Sequence, residues 1–470
     1  MNITCIGAGY VGSVTGTAFA ALGYKTTIID IDPAKVEVLT SGRSPIYEPG
    51  LEQLIAKTIR KTLFASTSYA SVRHSDIVFI GVGTPSKENG NVDLTYIELA
   101  SQNIAKHLNP FQFTVIVNKS TVPVGTTDLV ASIIEEYSTL KNNEHFAIVS
   151  NPEFLREGYA VEDVFYPDRV VVGSNNQLAS DMMRELYTSI VARENYRILS
   201  SVVDIRDKEL TPLPTYYETD IRSAEMIKYA SNAFLAVKIS YINEVARLSD
   251  ALGANALDVA KGMGMDSRIG DKFLDVSCGW SGSCFPKDTA EFLYTSQVEN
   301  QELSIVKSAI ASNKEMHHYC VDKVERALGS LQGRKIGILG LTFKPNTDDA
   351  RNTQASYIIE KLIEKGATIQ AHDPQGSKMF QNLNGHLKVN YCASGKDVFD
   401  QADGVVLLTH WEEYKYLNWD LTIAQMSHPY LLDTRNFLRE LNLPTLGYRY
   451  EGVGTSTEHR VSPSPQTVSL

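Results

Sequence analysis

Short apolar runs alternate along this chain with stretches whose apolar positions recur every three to four residues. Residues 2–7, 25–30, 76–81, 113–119, 146–150 and 169–173 read as strands. Runs this continuously apolar are buried on both faces, which predicts a parallel, doubly wound sheet with helices packed on each side. From 220 to 252 neither Gly nor Pro occurs. That spacing predicts one helix of about 30 residues, roughly 50 Å long at 1.5 Å per residue. Such a length exceeds one compact domain, so the helix is read as a link between two domains and a candidate carrier of a dimer interface.

A second strand–helix alternation begins near residue 334, with 335–340, 368–373, 404–409 and 430–433 as its strands. In both alternations a strand runs into Asp-Pro, at Asp32-Pro33 and Asp373-Pro374. The pattern predicts an α/β chain of two Rossmann-like doubly wound domains, 1–205 and 326–455, joined by a central helical domain at 206–325. Residues 456–470, rich in Ser, Thr and Pro, are expected to be a flexible tail.

Composition narrows the function. With 470 residues the chain has room for about three domains. A net charge of −11 leaves no basic excess to neutralise phosphates, so a nucleic-acid partner is not expected. Cys5, Cys278, Cys284, Cys320 and Cys392 are scattered, with no CxxC and no metal-ligand spacing. No metal site and no disulfide framework are expected, and a reducing cytoplasm fits. The apolar stretch 3–22 lacks a basic leader and is broken by glycines. No other run reaches membrane-span length, so neither secretion nor membrane insertion is expected.

Gly7-Ala8-Gly9-Tyr10-Val11-Gly12 follows the first strand and opens a helical pattern. In such a fingerprint the first glycine makes the tight turn and the second admits a pyrophosphate. The third lets helix and strand pack closely, with the phosphates at the helix N-terminus. Asp30 ends the next strand, where a carboxylate would accept a ribose 2′-OH and repel a 2′-phosphate, so NAD is the expected cofactor. Lys35 is either a contact near that ribose or an exposed helical lysine. Thr84 and Thr121 lie in Gly83-Thr84-Pro85 and Ser120-Thr121-Val122-Pro123, after later strands, where ligands sit in such sheets.

Three further segments offer chemistry. In Ser281-Gly282-Ser283-Cys284-Phe285-Pro286-Lys287-Asp288, Pro286 suits the first position of a helix, which sets Cys284 at a helix N-terminus that favours a thiolate. A purely structural reading is a small buried cysteine ahead of a helix. Glu225, Lys228 and Asn232 fall on one helical face, either as a solvated stripe with a Glu–Lys pair or as a partly buried one. In 150–158 (SNPEFLREG), a helix opening at Pro152 would bring Glu153 and Glu157 to one face, with helix capping as an alternative for Glu153.

These segments, together with YEPGL at 47–51, STVPVGT at 120–126, GMDSRIG at 264–270 and FKPNTDD at 343–349, occur in an order that resembles the UDP-glucose 6-dehydrogenase family, within the wider UDP-glucose/GDP-mannose dehydrogenases. The resemblance runs from residue 2 to about 452. It implies that 1–205 binds NAD, that 206–325 is a dimerisation domain carrying the catalytic cysteine, and that 326–455 binds the UDP-sugar. It also implies a four-electron oxidation of UDP-glucose to UDP-glucuronate through a thiohemiacetal and a thioester on Cys284, followed by hydrolysis.

By the same resemblance, Lys228 stabilises oxyanions and Asn232 orients the sugar. Thr121 and Asp288 hold a water used in proton transfer, Glu153 is the base for hydrolysis, and Glu157 lies near the sugar or the nicotinamide. Phe154 and Leu155 belong to the same sugar-binding segment. The UDP moiety is expected on the backbone of Phe273 to Ser277, beside Gly282, with Lys344 and Arg435 supplying positive charge. Arg268 would reach a neighbouring subunit's substrate, implying a homodimer or higher homo-oligomer, and Arg351 would lie near NAD.

The chain departs from the family pattern in two places. Residues 201–216, with Pro212 and Pro214, read as an inserted loop. Trp280 and Ser281 stand where the family usually has an aromatic (commonly Tyr or Phe) and Gly, and Ser281 would be strained if its position needs a positive φ. The rival substrates are GDP-mannose and N-acetylated UDP-hexosamines. A two-electron hydroxyacid dehydrogenase would need no cysteine, and a non-catalytic NAD-binding protein would not need Cys284, Lys228 and Asp288 together.

Overall fold

A computed structural model describes residues 1–87, 89–194, 196, 202 and 212–455. Most of the 201–216 segment and the 456–470 tail lie outside the described residues. Two compact units divide the chain: Met1–Ser231 with Ala290–Glu299, and Asn232–Thr289 with Asn300 onward.

The first unit holds strands β1 (Asn2–Ile6), β2 (Lys25–Ile29), β3 (Leu63–Ser66), β4 (Ile77–Ile80), β5 (Thr114–Asn118), β6 (Phe146–Ser150), β7 (Arg169–Gly173) and β8 (Thr215–Thr219). They form one sheet in the order β3-β2-β1-β4-β5-β6-β7-β8. The first six strands are parallel, and the order reverses between β1 and β4, the switch point at which such sheets bind ligands. Burial explains the unbroken apolar runs. Along β4, Ile77 and Phe79 join one buried cluster and Val78 and Ile80 join another, on the opposite face.

Two expectations are corrected here. β7 runs antiparallel to β6, meeting it at Ser150 and Gly173. Between these strands the chain has one short helix, Ala160–Phe165, and not the long crossover that parallel neighbours require. Residues 215 and 216, read as part of a loop, open β8, which pairs in parallel with β7 from Thr215 to Thr219.

The second unit holds β9 (Lys335–Leu339), β10 (Thr368–His372), β11 (Val389–Tyr391), β12 (Gly404–Leu407), β13 (Tyr430–Asp433) and β14 (Arg449–Gly452). Its order, β11-β10-β9-β12-β13-β14, repeats the first six strands of the other sheet, all parallel. Again the two faces are buried separately, Ile336 and Ile338 in one cluster and Leu339, Val405 and Leu407 in the other.

The Gly- and Pro-free stretch is one helix of 32 residues, Ile221–Leu252. Asp220 caps its start by accepting the Ser223 N–H at 2.9 Å. Gly253, at φ +73°, ends it in the left-handed conformation that glycine adopts without strain. The boundary between the two units falls inside this helix after Ser231, and inside Phe285–Val298 after Thr289. Among the described residues no helix is long and apolar enough to cross a membrane.

Candidate active site

The glycine turn after β1 is built by contact distances. A Cβ on Gly7, at φ +102°, would sit 2.6 Å from the Gly81 carbonyl oxygen, and one on Gly12 would collide with the Gly7 carbonyl oxygen. Gly9 differs, because a Cβ there would meet nothing within 4 Å. Its smallness serves no packing within the protein and leaves the backbone open to a phosphate group. The helix Tyr10–Ala21 starts here with no acidic residue in its first turn, so no carboxylate of its own opposes an anion. Val11 packs near Gly81, where a Cβ would lie 3.4 Å from its side chain.

Asp30 follows β2 and is buried. Its Oδ2 accepts the Ala8 N–H at 2.6 Å and its Oδ1 the Asp32 N–H at 2.9 Å, which fixes the acid against the glycine turn. Each carboxylate oxygen keeps acceptor capacity for a ribose hydroxyl. Lys35 reaches Asp30 at 3.7 Å with its side chain partly exposed. Thr84 Oγ1 donates to the Thr121 carbonyl at 3.0 Å, joining the loops that follow β4 and β5. An open turn, a helix N-terminus and a fixed acid fit a dinucleotide without a 2′-phosphate.

A second group lies in the same unit. Residues 151–158 form no helix, so the shared face expected for Glu153 and Glu157 does not exist. Glu153 folds back on its own loop, its Oε2 accepting the Leu155 N–H at 2.6 Å, while Oε1 lies 3.1 Å from Lys228 Nζ. Phe154 has the Arg169 guanidinium 4.2 Å and the Lys228 ammonium 5.2 Å from its ring centroid. Glu157 is half-buried in this loop.

Burial by itself would raise the Glu153 carboxyl. The Lys228 ammonium, the Leu155 N–H and the Lys119 charge outweigh it and hold the group below the usual carboxylate range. Lys119, which directly precedes the 120–126 motif, is buried, and desolvation pushes its ammonium down to about 8. Its Nζ donates to Asn151 Oδ1 at 3.0 Å.

The solvated Glu–Lys stripe is not found on the long helix. Glu225, Lys228 and Asn232 are all buried. Glu225 turns to accept the Gly125 N–H (2.7 Å), the Thr127 N–H (2.9 Å) and the Thr127 hydroxyl (2.5 Å), and Lys228 pairs with Glu153.

In the second unit, Cys284 stands immediately ahead of the helix Phe285–Val298, with Pro286 at its second position. Its Sγ is 3.7 Å from Ser283 Oγ. One turn on, Asp288 is 1% exposed; its Oδ2 accepts from Asn232 Nδ2 and its Oδ1 from Lys287 Nζ, each at 2.6 Å. Lys287 lies within the cysteine motif, yet its position there carries no signal of a role. Nothing in the spacing signals that it turns back onto its neighbour.

The expected strain at Ser281 does not arise. The left-handed positions of this loop are Gly279 (φ +116°) and Gly282 (φ +89°), and Ser281 donates its hydroxyl to Gln354 Oε1. A Cβ on Gly282 would meet the Phe343 ring at 2.8 Å. Trp280 is held by Nε1–H to Ser240 Oγ at 2.8 Å, and Asn313 takes its N–H (2.8 Å) and donates to its carbonyl (2.9 Å).

Among the residues expected at the UDP moiety, Phe273 has φ +63°, unusual for a bulky side chain, and Ser277 is buried with its N–H on Asn243 Oδ1 at 2.9 Å. Lys344 Nζ lies 5.5 Å from the Phe343 ring centroid. Arg435 follows β13 and its Nε donates to the Leu408 carbonyl beyond β12 at 2.8 Å, at the C-terminal edge of the sheet. Arg351 makes a fork onto Asp349, at 2.9 and 2.7 Å. Arg268 is exposed and forks onto Asp266, at 3.0 and 2.6 Å.

Two nucleotide-binding sheets of matching strand order, one with a dinucleotide fingerprint, and a cysteine at a helix start define an NAD-dependent oxidoreductase. The chain belongs to the UDP-glucose/GDP-mannose dehydrogenase family: residues 1–191 match its NAD binding domain, 222–315 its central domain and 337–440 its UDP binding domain. It is 39% identical over 465 residues to UDP-glucose 6-dehydrogenase TuaD of Bacillus subtilis, covering 98% of this chain and 95% of that one. A UDP-glucose 6-dehydrogenase of Rhizobium meliloti is 40% identical over 463 residues, covering 97% and 99%. Among solved structures, a UDP-glucose dehydrogenase from Pyrobaculum islandicum superposes with a TM-score of 0.84 at 35% identity, covering 97% and 98%.

Proposed function

We propose that this chain oxidises UDP-glucose to UDP-glucuronate in two steps at one carbon, with Cys284 as the covalent catalyst. The observation that carries this reading is Cys284 at the start of the helix Phe285–Val298, in a chain alike over nearly its full length to UDP-glucose 6-dehydrogenases.

Gly7 to Gly12 and Asp30, flanked by Tyr10, Val11, Lys35, Thr84 and Thr121, would hold NAD, which when bound would supply the hydride acceptor, two equivalents per sugar. Lys228 donates to the oxygen on carbon 6 as negative charge develops there. Asn232 orients the sugar, and Asp288 with Thr121 holds the water that carries away the hydroxyl proton. Once carbon 6 is an aldehyde, the Cys284 thiolate adds to it, forming a C–S bond and leaving an sp3 carbon that can be oxidised again, to a thioester. Glu153, kept ionised by Lys228 and Lys119, takes a proton from water as the water attacks the thioester. The C–S bond then breaks, releasing the carboxylate and restoring the thiol. Phe154, Leu155 and Glu157 line the sugar side, and Phe273, Ser277, Gly282, Lys344 and Arg435 serve the UDP group.

The protein works as a homodimer or higher homo-oligomer. The long helix exposes Phe234, Tyr241 and Leu248 at seven-residue spacing, an apolar row that a second copy would cover. Arg268 and Arg351 would serve the substrate of a neighbouring subunit and the cofactor. Cysteines scattered along the chain with no CxxC spacing, three of them (Cys5, Cys278 and Cys320) buried, suit a reducing cytoplasm.

The test is the NADH yield per UDP-glucose consumed, for wild type and Cys284→Ser. Two NADH, with turnover lost in the variant, is expected. One NADH, or undiminished turnover in the variant, overturns the covalent scheme. Two NADH from GDP-mannose or an N-acetylated UDP-hexosamine, with none from UDP-glucose, overturns the substrate alone.

A further inference from the structure

The loop 151–159, which carries Glu153, Phe154, Leu155 and Glu157, has no strand or helix of its own, and carboxylates hold its backbone. Glu153 takes the Leu155 N–H from within the loop. Asp163 takes the Arg156 N–H at 2.7 Å and its guanidinium at 2.6 Å. The third carboxylate comes from far upstream. Glu48 Oε2 accepts the Gly158 N–H and its Oε1 the Ala160 N–H, both at 2.7 Å and more than 100 residues along the chain.

Glu48 is 6% exposed. Gly158 itself sits at φ +80°, so the loop reverses direction where Glu48 grips it. The residue beside Glu48 makes a different contact. The Tyr47 carbonyl accepts the hydroxyl of Tyr10 at 2.8 Å, and Tyr10 opens the helix after the Gly7–Gly9 turn.

We propose that Glu48 is a positioning residue: its two bonds to Gly158 and Ala160, with Tyr47 on Tyr10, tie the placement of the Glu153 loop to the dinucleotide turn. What the loop does chemically rests on the proposed function; the tie itself does not. The 47–51 motif thereby acquires a physical purpose. A buried carboxylate accepting two N–H groups makes short charge-assisted bonds. Glu48→Gln keeps the shape but turns an NH2 group toward one of those N–H groups, and the loop has to move. A displacement of about 1 Å at a reacting group costs on the order of 100-fold in rate.

The experiment combines amide hydrogen exchange with steady-state kinetics on the full chain, for Glu48→Gln, Tyr10→Phe and the double variant. In Glu48→Gln, exchange at Gly158 and Ala160 should rise on the order of 10-fold or more. The kcat with UDP-glucose should fall about 10- to 100-fold. Tyr10→Phe should speed exchange at the same two amides, and its effect on kcat should be non-additive with Glu48→Gln. It removes a single hydroxyl, so it keeps the test available should Glu48→Gln fail to fold.

A lowered melting temperature with kcat per folded enzyme unchanged would overturn the positioning role. Unmoved exchange at Gly158 and Ala160 in Tyr10→Phe would overturn the tie to the dinucleotide turn. A wild type unable to oxidise UDP-glucose would sink the proposed function, while the exchange measurements would still decide the tie.

Discussion

Replacing Lys228 with Met removes one partner of a buried ion pair and leaves the other in place. The Lys228 side chain is 5% exposed and that of Glu153 is 9% exposed, with Nζ and Oε1 3.1 Å apart. Breaking such a pair costs about 3–5 kcal/mol, because the remaining charge is buried without its counter-ion. Glu153 keeps the Leu155 N–H and the nearby Lys119 charge, so the low end, about 3 kcal/mol, is expected. In a unit of this size each kcal/mol shifts the melting temperature by about 2–4 °C, a fall of roughly 6–12 °C at neutral pH.

The pH dependence gives the sharper test. In wild type the folded Glu153 value lies below the usual 4.5, so its contribution to stability is present above that pH and is lost as pH falls through the depressed value. In Lys228→Met, burial acts with its main opponent gone and lifts the folded value above the usual one. The variant is then relieved by protonation as pH falls, and the gap in melting temperature should narrow between about pH 8 and pH 5. Scanning fluorimetry at pH 8, 6.5 and 5 measures it. A gap under about 2 °C at neutral pH, or one constant from pH 5 to 8, would refute the buried-pair argument. The double variant Lys228→Met/Glu153→Gln should recover most of the lost stability.

Two other predictions concern the glycine turn and the long helix. Gly9→Ala meets no protein atom within 4 Å, so its melting temperature should stay within about 1 °C of wild type while its NAD affinity falls at least about 10-fold by fluorescence titration. Gly12→Ala collides with the Gly7 carbonyl and should lose both; an NAD affinity unchanged in Gly9→Ala would refute the pyrophosphate reading. Tyr241→Glu places a charge in the exposed apolar row and should shift the protein toward monomer in light scattering. An unchanged mass would remove the helix from the interface.

What could be read along the chain was whatever burial writes as a local period. Interior strands such as β4 and β12, buried on both faces, are unbroken apolar runs, and each was found from its run. The four strands that apolar runs do not predict, β3, β8, β11 and β14, are the edges of their sheets. An edge strand buries one face at most, and residues such as Thr215–Thr219 or Val389–Tyr391 carry no apolar run to betray it. The antiparallel turn of β7 was equally silent, since side-chain alternation does not record strand direction.

The same division runs through the candidate site. The sequence by itself determined the glycine turn and the place of Cys284 before a helix, because each depends on neighbours a few residues away, and it marked Asp30 through the spacing of one strand–helix–strand unit. Only the tertiary structure decided which partner each buried carboxylate takes: Glu153 with Lys228, Asp288 with Asn232 and Lys287, Glu225 with Gly125 and Thr127, and Glu48 with Gly158. Glutamate and lysine three residues apart on a helix look like a surface pair until something is packed over them. Burial then sends each to a partner 75 or more residues distant along the chain, because a charge removed from water must find a counter-ion or hydrogen-bond donors wherever the fold brings them.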